Sequence, residues 1–84
     1  MKTISLEMAE SRLIALKKAI HVAGGQSALA KRCKVRPQTV QVWLRMGRVP
    51  AERVIEIEQA VNGAVSRYEL RPDIYPENVG IKDV

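Results

Sequence analysis

Gln38 and Gln41 stand three residues apart, one step along a helix face, and each carries an amide that donates and accepts at once. That pairing matches the N6 and N7 pattern adenine shows in the major groove of DNA. Val42, on the neighbouring edge, suits a thymine methyl, and Arg36 suits a guanine or a phosphate. Thr39 reads two ways, as a hydroxyl contact to a phosphate or as a half-buried spacer. Gln26, with Ser27 beside it, opens another helical stretch, where its side chain and the unpaired backbone amides suit one phosphate. Lys31, Lys34, Arg45, Arg48 and Arg53 are candidates for further phosphate contacts, which give affinity without sequence preference and weaken as salt rises.

Side chains of this kind read DNA only when a second helix holds their helix from behind. Residues 26–44, QSALAKRCKVRPQTVQVWL, have that layout: two short helices broken at Lys34 and Val35. Leu29, Ala30, Cys33, Val35, Val40 and Trp43 recur at steps that return to one inward face. Gln26, Lys31, Arg32, Lys34, Arg36, Gln38, Gln41 and Arg45 are left facing out. Pro37 fits the first turn of the recognition helix, expected to run to about Met46, because its fixed φ and missing donor cost least there. Trp43 is read as core rather than as a base-stacking residue.

The flanking elements are also helical. Leu6, Ala9, Leu13, Leu16 and Ile20 mark a first helix over about 6–22, stopped by Gly24 and Gly25. After Gly47, a fourth helix is expected with Pro50 near its first position, Ala51 and Glu52 in its first turn, Val54, Ile57 and Val61 inward, and Asn62 and Gly63 as its stop. Ser66 and Glu69 stand in capping-box spacing and predict a brief helix over about 67–70. Prolines 72 and 76 predict an extended tail, docked through Ile74 and Tyr75 and loose after Pro76. The expectation is an all-α bundle of four to five helices, with a helix-turn-helix domain over 1–76 and a flexible tail over 77–84.

An 84-residue chain has room for one small core and hardly for a deep enzyme cleft. Its net charge of +5 is unevenly placed. Residues 31–53 hold seven bases (Lys31, Arg32, Lys34, Arg36, Arg45, Arg48, Arg53) against Glu52, and beyond Arg53 acids prevail. A basic region coinciding with the helix pair points to a polyanion. His21 is the only histidine, lies near no evident carboxylate or nucleophile, and suits a helix C-terminus. Cys33 is the only cysteine and reads as a small core residue, which excludes an internal disulfide. No catalytic residues, metal site or cofactor are expected. The N-terminal stretch lacks the apolar run of a signal peptide, and no segment is apolar enough for a membrane span, so a cytoplasmic protein is expected.

Four motifs in order, GGQSALAKRCKV, PQTVQVWL, GRVPAERVIEIEQAVNG and SRYELRPDIYP, carry a more specific signal. The stretch from Leu16 to Pro76 resembles the YdaS-like group of the Cro/CI family of phage-type, lambda-repressor-like helix-turn-helix proteins. That resemblance implies a five-helix DNA-binding domain of bacterial or prophage origin, acting as a repressor on operator DNA as a dimer or higher assembly. It implies groove contacts at Arg36, Pro37, Gln38, Gln41 and Val42, and a phosphate-binding glutamine at Gln26. One position departs: the family's turn usually carries glycine where this chain has Lys34, so a slightly reshaped turn is expected, at a modest cost in stability.

The leading expectation is therefore a transcriptional regulator that binds double-stranded DNA and associates with the nucleoid when bound. The alternative is an antitoxin-type module whose acidic C-terminal third engages a protein partner; the two roles can coexist. RNA binding fits less well, with no phenylalanine and few aromatics to stack on unpaired bases. A lone recognition helix covers few base pairs, so a homodimer or higher homo-oligomer is expected, with the fourth helix and Tyr68, Ile74 and Tyr75 as candidate surfaces.

Overall fold

The computed structural model describes residues 6–75, in which five helices and one 3₁₀ turn enclose a single apolar cluster. In order they are α1 (Leu6–Ala23), α2 (Gln26–Cys33), α3 (Pro37–Met46), the 3₁₀ turn Ala51–Arg53, α4 (Val54–Ala60) and α5 (Arg67–Leu70). No strand occurs among the described residues, and no helix there is long and apolar enough to cross a membrane. The expected tail beyond Pro76, and hence the 76/77 boundary, lies outside the described residues.

Four helices end by the same device. At each C-terminus two backbone amides turn back onto orphan carbonyls, the six-to-one and five-to-two bonds of a Schellman turn. They are Gly25 to Ile20 and Gly24 to His21 after α1, and Val35 to Ala30 and Lys34 to Lys31 after α2. After α3 they are Arg48 to Trp43 and Gly47 to Leu44, and after α4 Gly63 to Glu58 and Asn62 to Gln59. The turn requires a left-handed residue, and Gly24, Gly47 and Asn62 suit it by type. Lys34 does not, yet it stands at φ 60° and ψ 41°. The turn is not reshaped; Lys34 takes the glycine conformation and bears the strain.

Leu16, Ala19, Leu29, Ala30, Val40, Val49, Val54, Ile57, Val65 and Leu70 are fully enclosed, and Cys33, Trp43 and Val61 nearly so. Val35 and Leu44 pack partly buried against them. Burial of the Cys33 thiol pushes its pKa up, with Glu56 adding to the effect and Arg53 opposing it.

Three expectations are corrected. The inward face of α1 is Arg12, Ala15, Leu16, Ala19 and Ala23, whereas Leu6 is 74% exposed and Ala9, Leu13 and Ile20 lie at its margins. Small alanines let α1 approach its neighbours closely, and the Arg12 stem is buried with them because Asp73 stands 3.4 Å from its guanidinium. The fourth helix begins as a 3₁₀ turn, with the Arg53 amide bonded to the Pro50 carbonyl, and becomes α-helical at Val54. Finally, Ile74 is exposed; the segment after α5 docks through Arg71 and Tyr75.

Arg71 is the anchor of that segment. It donates from Nη1 to the Val49 carbonyl at 2.8 Å and from Nη2 to Asp73 at 2.7 Å, tying the C-terminal end to the α3–α4 connection. Its hydrogen bond to Asp73, assisted by the charges of Arg71 and Arg12, holds the carboxyl below the usual carboxylate range against the opposing effect of burial. α5 opens with the expected capping box: Ser66 Oγ accepts from the Glu69 amide at 3.2 Å, and Glu69 accepts from the Ser66 amide at 3.4 Å.

Candidate nucleic-acid interface

Helix α3 is fixed from behind by Val40 and Trp43, both buried against α2 and the core. That registration turns Gln38, Gln41, Val42 and Arg45 outward at steps of three and four, so all four lie along one exposed ridge. Arg36 and Pro37 are exposed at its start, Arg36 as the extended N-cap residue and Pro37 as the first helical residue. Thr39 is half-buried and its amide is bonded to the Arg36 carbonyl, so it sits beside the ridge rather than on it.

The N-termini of α2 and α3 are electrostatically open. No side chain caps either one, and neither has an acid in its first turn. By contrast, α1, α4 and α5 carry Glu7, Glu56 and Glu69 in theirs. A helix start has partial positive charge and unpaired amides, so α2 and α3 keep that capacity for an external anion. Gln26, half-buried, and Ser27, exposed, stand at the opening of α2.

The basic region divides in two. Lys31, Lys34, Arg36 and Arg45 are exposed, Arg48 is half-buried, and none of the five forms an ion pair among the described residues. Arg32 and Arg53 are committed elsewhere. Arg32 donates to the Ala60 carbonyl at 2.7 Å, tying α2 to the end of α4, and Arg53 pairs with Glu56 at 2.8 Å. Counted along the sequence all seven bases look alike: the Ala60 carbonyl that Arg32 reaches is invisible there, whereas Glu56, the partner of Arg53, stands only three residues on and was legible in the chain. Arg12 and Arg71, whose charges are buried against Asp73, were missed as well. Only the acid at 73, close to Arg71 in the chain, hinted at that pairing.

Residues 16–79 match the model of the family described as "Bacterial toxin YdaS". The chain belongs to the YdaS family. It is 48% identical over 59 residues to a protein of Escherichia coli K12 named "Putative transcriptional regulator YdaS", a match covering 69% of this chain and 60% of the relative. The chain thus spans about 60% of the length of that curated relative. Among solved structures it is similar to the Cro protein from "putative prophage element Xfaso 1" in Xylella fastidiosa strain Ann-1, with 48% identity and a TM-score of 0.73. That likeness covers 75% of this chain and 97% of the other, so the helical arrangement described here is shared nearly throughout that protein.

Proposed function

We propose that this protein is a sequence-specific regulator of transcription that binds double-stranded operator DNA in the major groove through α3, as a Cro-like prophage repressor. The observation that carries the reading is the exposed ridge Gln38–Gln41–Val42–Arg45, flanked by unpaired cations and two uncapped helix starts. The names of its relatives, a transcriptional regulator and a Cro protein, support it.

In this reading Gln38 and Gln41 read adenine edges, Val42 meets a thymine methyl, and Arg36 and Pro37 lie at the groove entrance. Gln26, Ser27 and the start of α2 hold one phosphate, and Lys31, Lys34, Thr39, Arg45 and Arg48 hold the others. The protein acts by occupancy, with no catalysis, cofactor or metal, in the bacterial cytoplasm at the nucleoid. Arg53 is not included in this set because Glu56 stands 2.8 Å from its guanidinium.

A mobility-shift titration on the DNA flanking its own gene, against random duplex at physiological salt, tests the reading. Preference for the flanking DNA by at least about a thousandfold is expected of a specific binder. Equal affinity for the two duplexes would overturn it. The word "toxin" in the family description weakly favours a second role with a protein partner, which co-purification with products of neighbouring genes would test.

A further inference from the structure

The outward face of α1 has no role in either the core or the candidate interface. At its middle stands Ile14, a large β-branched side chain 65% exposed. Toward the N-terminus the face carries Glu7 and Glu10, and toward the C-terminus Lys17, Lys18 and His21, all exposed. A helix dipole favours acids early and bases late in any helix. It does not account for an isoleucine between them, nor for the absence of partners. Residues three and four beyond Glu7 and Glu10 include no base, and those three and four before Lys17 and Lys18 include no acid. None of the four forms an ion pair among the described residues.

The pattern becomes complementary when reversed on itself. Steps of four along the helix give Leu6, Glu10, Ile14, Lys18 and Val22, each exposed. Rotated about a two-fold axis at Ile14, Ile14 meets Ile14, Glu10 meets Lys18, Leu6 meets Val22, Ser11 meets Lys17 and Glu7 meets His21. We propose that the outward face of α1 is the site where a second copy of this chain docks, antiparallel, with Ile14 on the symmetry axis. An isologous contact requires such self-complementarity. An open groove of about 240 Å³ between α1 and α5, lined by Ser11, Ile14, Ala15, Lys18 and Glu69, lies beside Ile14 and can receive the partner's isoleucine. Glu69, the acid across that groove, is already engaged in the capping box with Ser66.

None of Gln26, Arg36, Pro37, Gln38, Gln41 or Val42 lies on α1, so the proposed contact uses none of the candidate DNA-reading residues. A single pair of crossed helices buries less than the roughly 1,200 Å² at the lower end of stable interfaces, so the dimer is weak in free solution. The proposal stands independently of what α3 binds.

Charge exchange tests it by sedimentation equilibrium of the full chain at low salt. In the wild type, self-association appears at high micromolar to millimolar concentration. Glu10→Lys alone and Lys18→Glu alone each place like charges together, and each weakens self-association by about tenfold. Mixed with each other they restore it as a heterodimer, because both facing pairs of positions 10 and 18 then have opposite signs. Ile14→Asp abolishes it. All three positions are exposed, and an unchanged melting temperature verifies the fold of each variant. A wild type that stays monomeric to millimolar concentration would overturn the proposal. So would a dimer indifferent to all three changes, or single variants whose mixture fails to associate.

Discussion

Residues 26–48 hold six bases and no acid, whereas residues 53–75 hold three arginines among four acids, and the two regions treat their charges in opposite ways. In the second region Arg53 is paired with Glu56, Arg67 with Glu58 and Arg71 with Asp73, and the helix start at Arg67 is closed by a capping box. In the first, Lys31, Lys34, Arg36, Arg45 and Arg48 have no acid partner among the described residues, and both helix starts are uncapped. Charge satisfied within the chain stabilises the fold, whereas charge and amide donors left open are available to something outside it. The candidate interface is distinguished by the cations it leaves unpaired, in a stretch that carries no acid to pair them.

The sharpest way to break the contrast is at Asp73. Asp73→Asn leaves the buried guanidinium of Arg71, and that of Arg12 beside it, without a counter-charge. A loss of about 3 kcal/mol is expected from urea denaturation, with sequence preference unaltered in the molecules still folded. The same residue gives a pH signature. Because the folded-state pKa of Asp73 is lowered, its contribution is fully present above the unfolded value of about 3.9 and is lost as pH falls through the lower folded value. The stability gap between wild type and Asp73→Asn should therefore be constant from about pH 7 to 5 and close in stronger acid.

Changes to the glutamines and arginines of the open region should move binding and leave the melting temperature alone. Gln38→Ala and Gln41→Ala are each expected to cost about 1–3 kcal/mol on the preferred DNA and little on random duplex, read by competition titration. Arg45→Ala and Arg48→Ala should weaken all duplexes alike, and each should reduce the slope of log affinity against log salt by about 0.9. The smallest effect is at the corner: Lys34→Gly relieves the left-handed strain and should raise stability by about 1 kcal/mol in thermal melts.

The helix pair was legible from the chain because its signals are local. Gly25 before Gln26, Pro37 at a helix start, Gly47 just past Met46 and apolar steps of three and four set α2 and α3 to their observed bounds. Ser66 and Glu69 foretold the start of α5 for the same reason. Helix α1 was found but its register was misread. Of the expected stripe Leu6, Ala9, Leu13, Leu16 and Ile20, Leu16 is fully buried as expected, while Arg12, Ala15, Ala19 and Ala23 take the other inward places, since close packing against α2 and α5 favours small side chains. Val49 and Val65 lie in connections with no periodicity to mark them, yet both are fully enclosed.

Sequence determined the elements, their ends and the exposed ridge of α3, because backbone conformation and helical periodicity depend on residues within a few positions of one another. Tertiary structure decided which cations are spent and which are spare. Arg32 donates to a carbonyl 28 residues away, Arg71 to one 22 residues away, and Arg12 stands against Asp73 from the far end of the described residues; which groups these cations meet is decided by proximity in space.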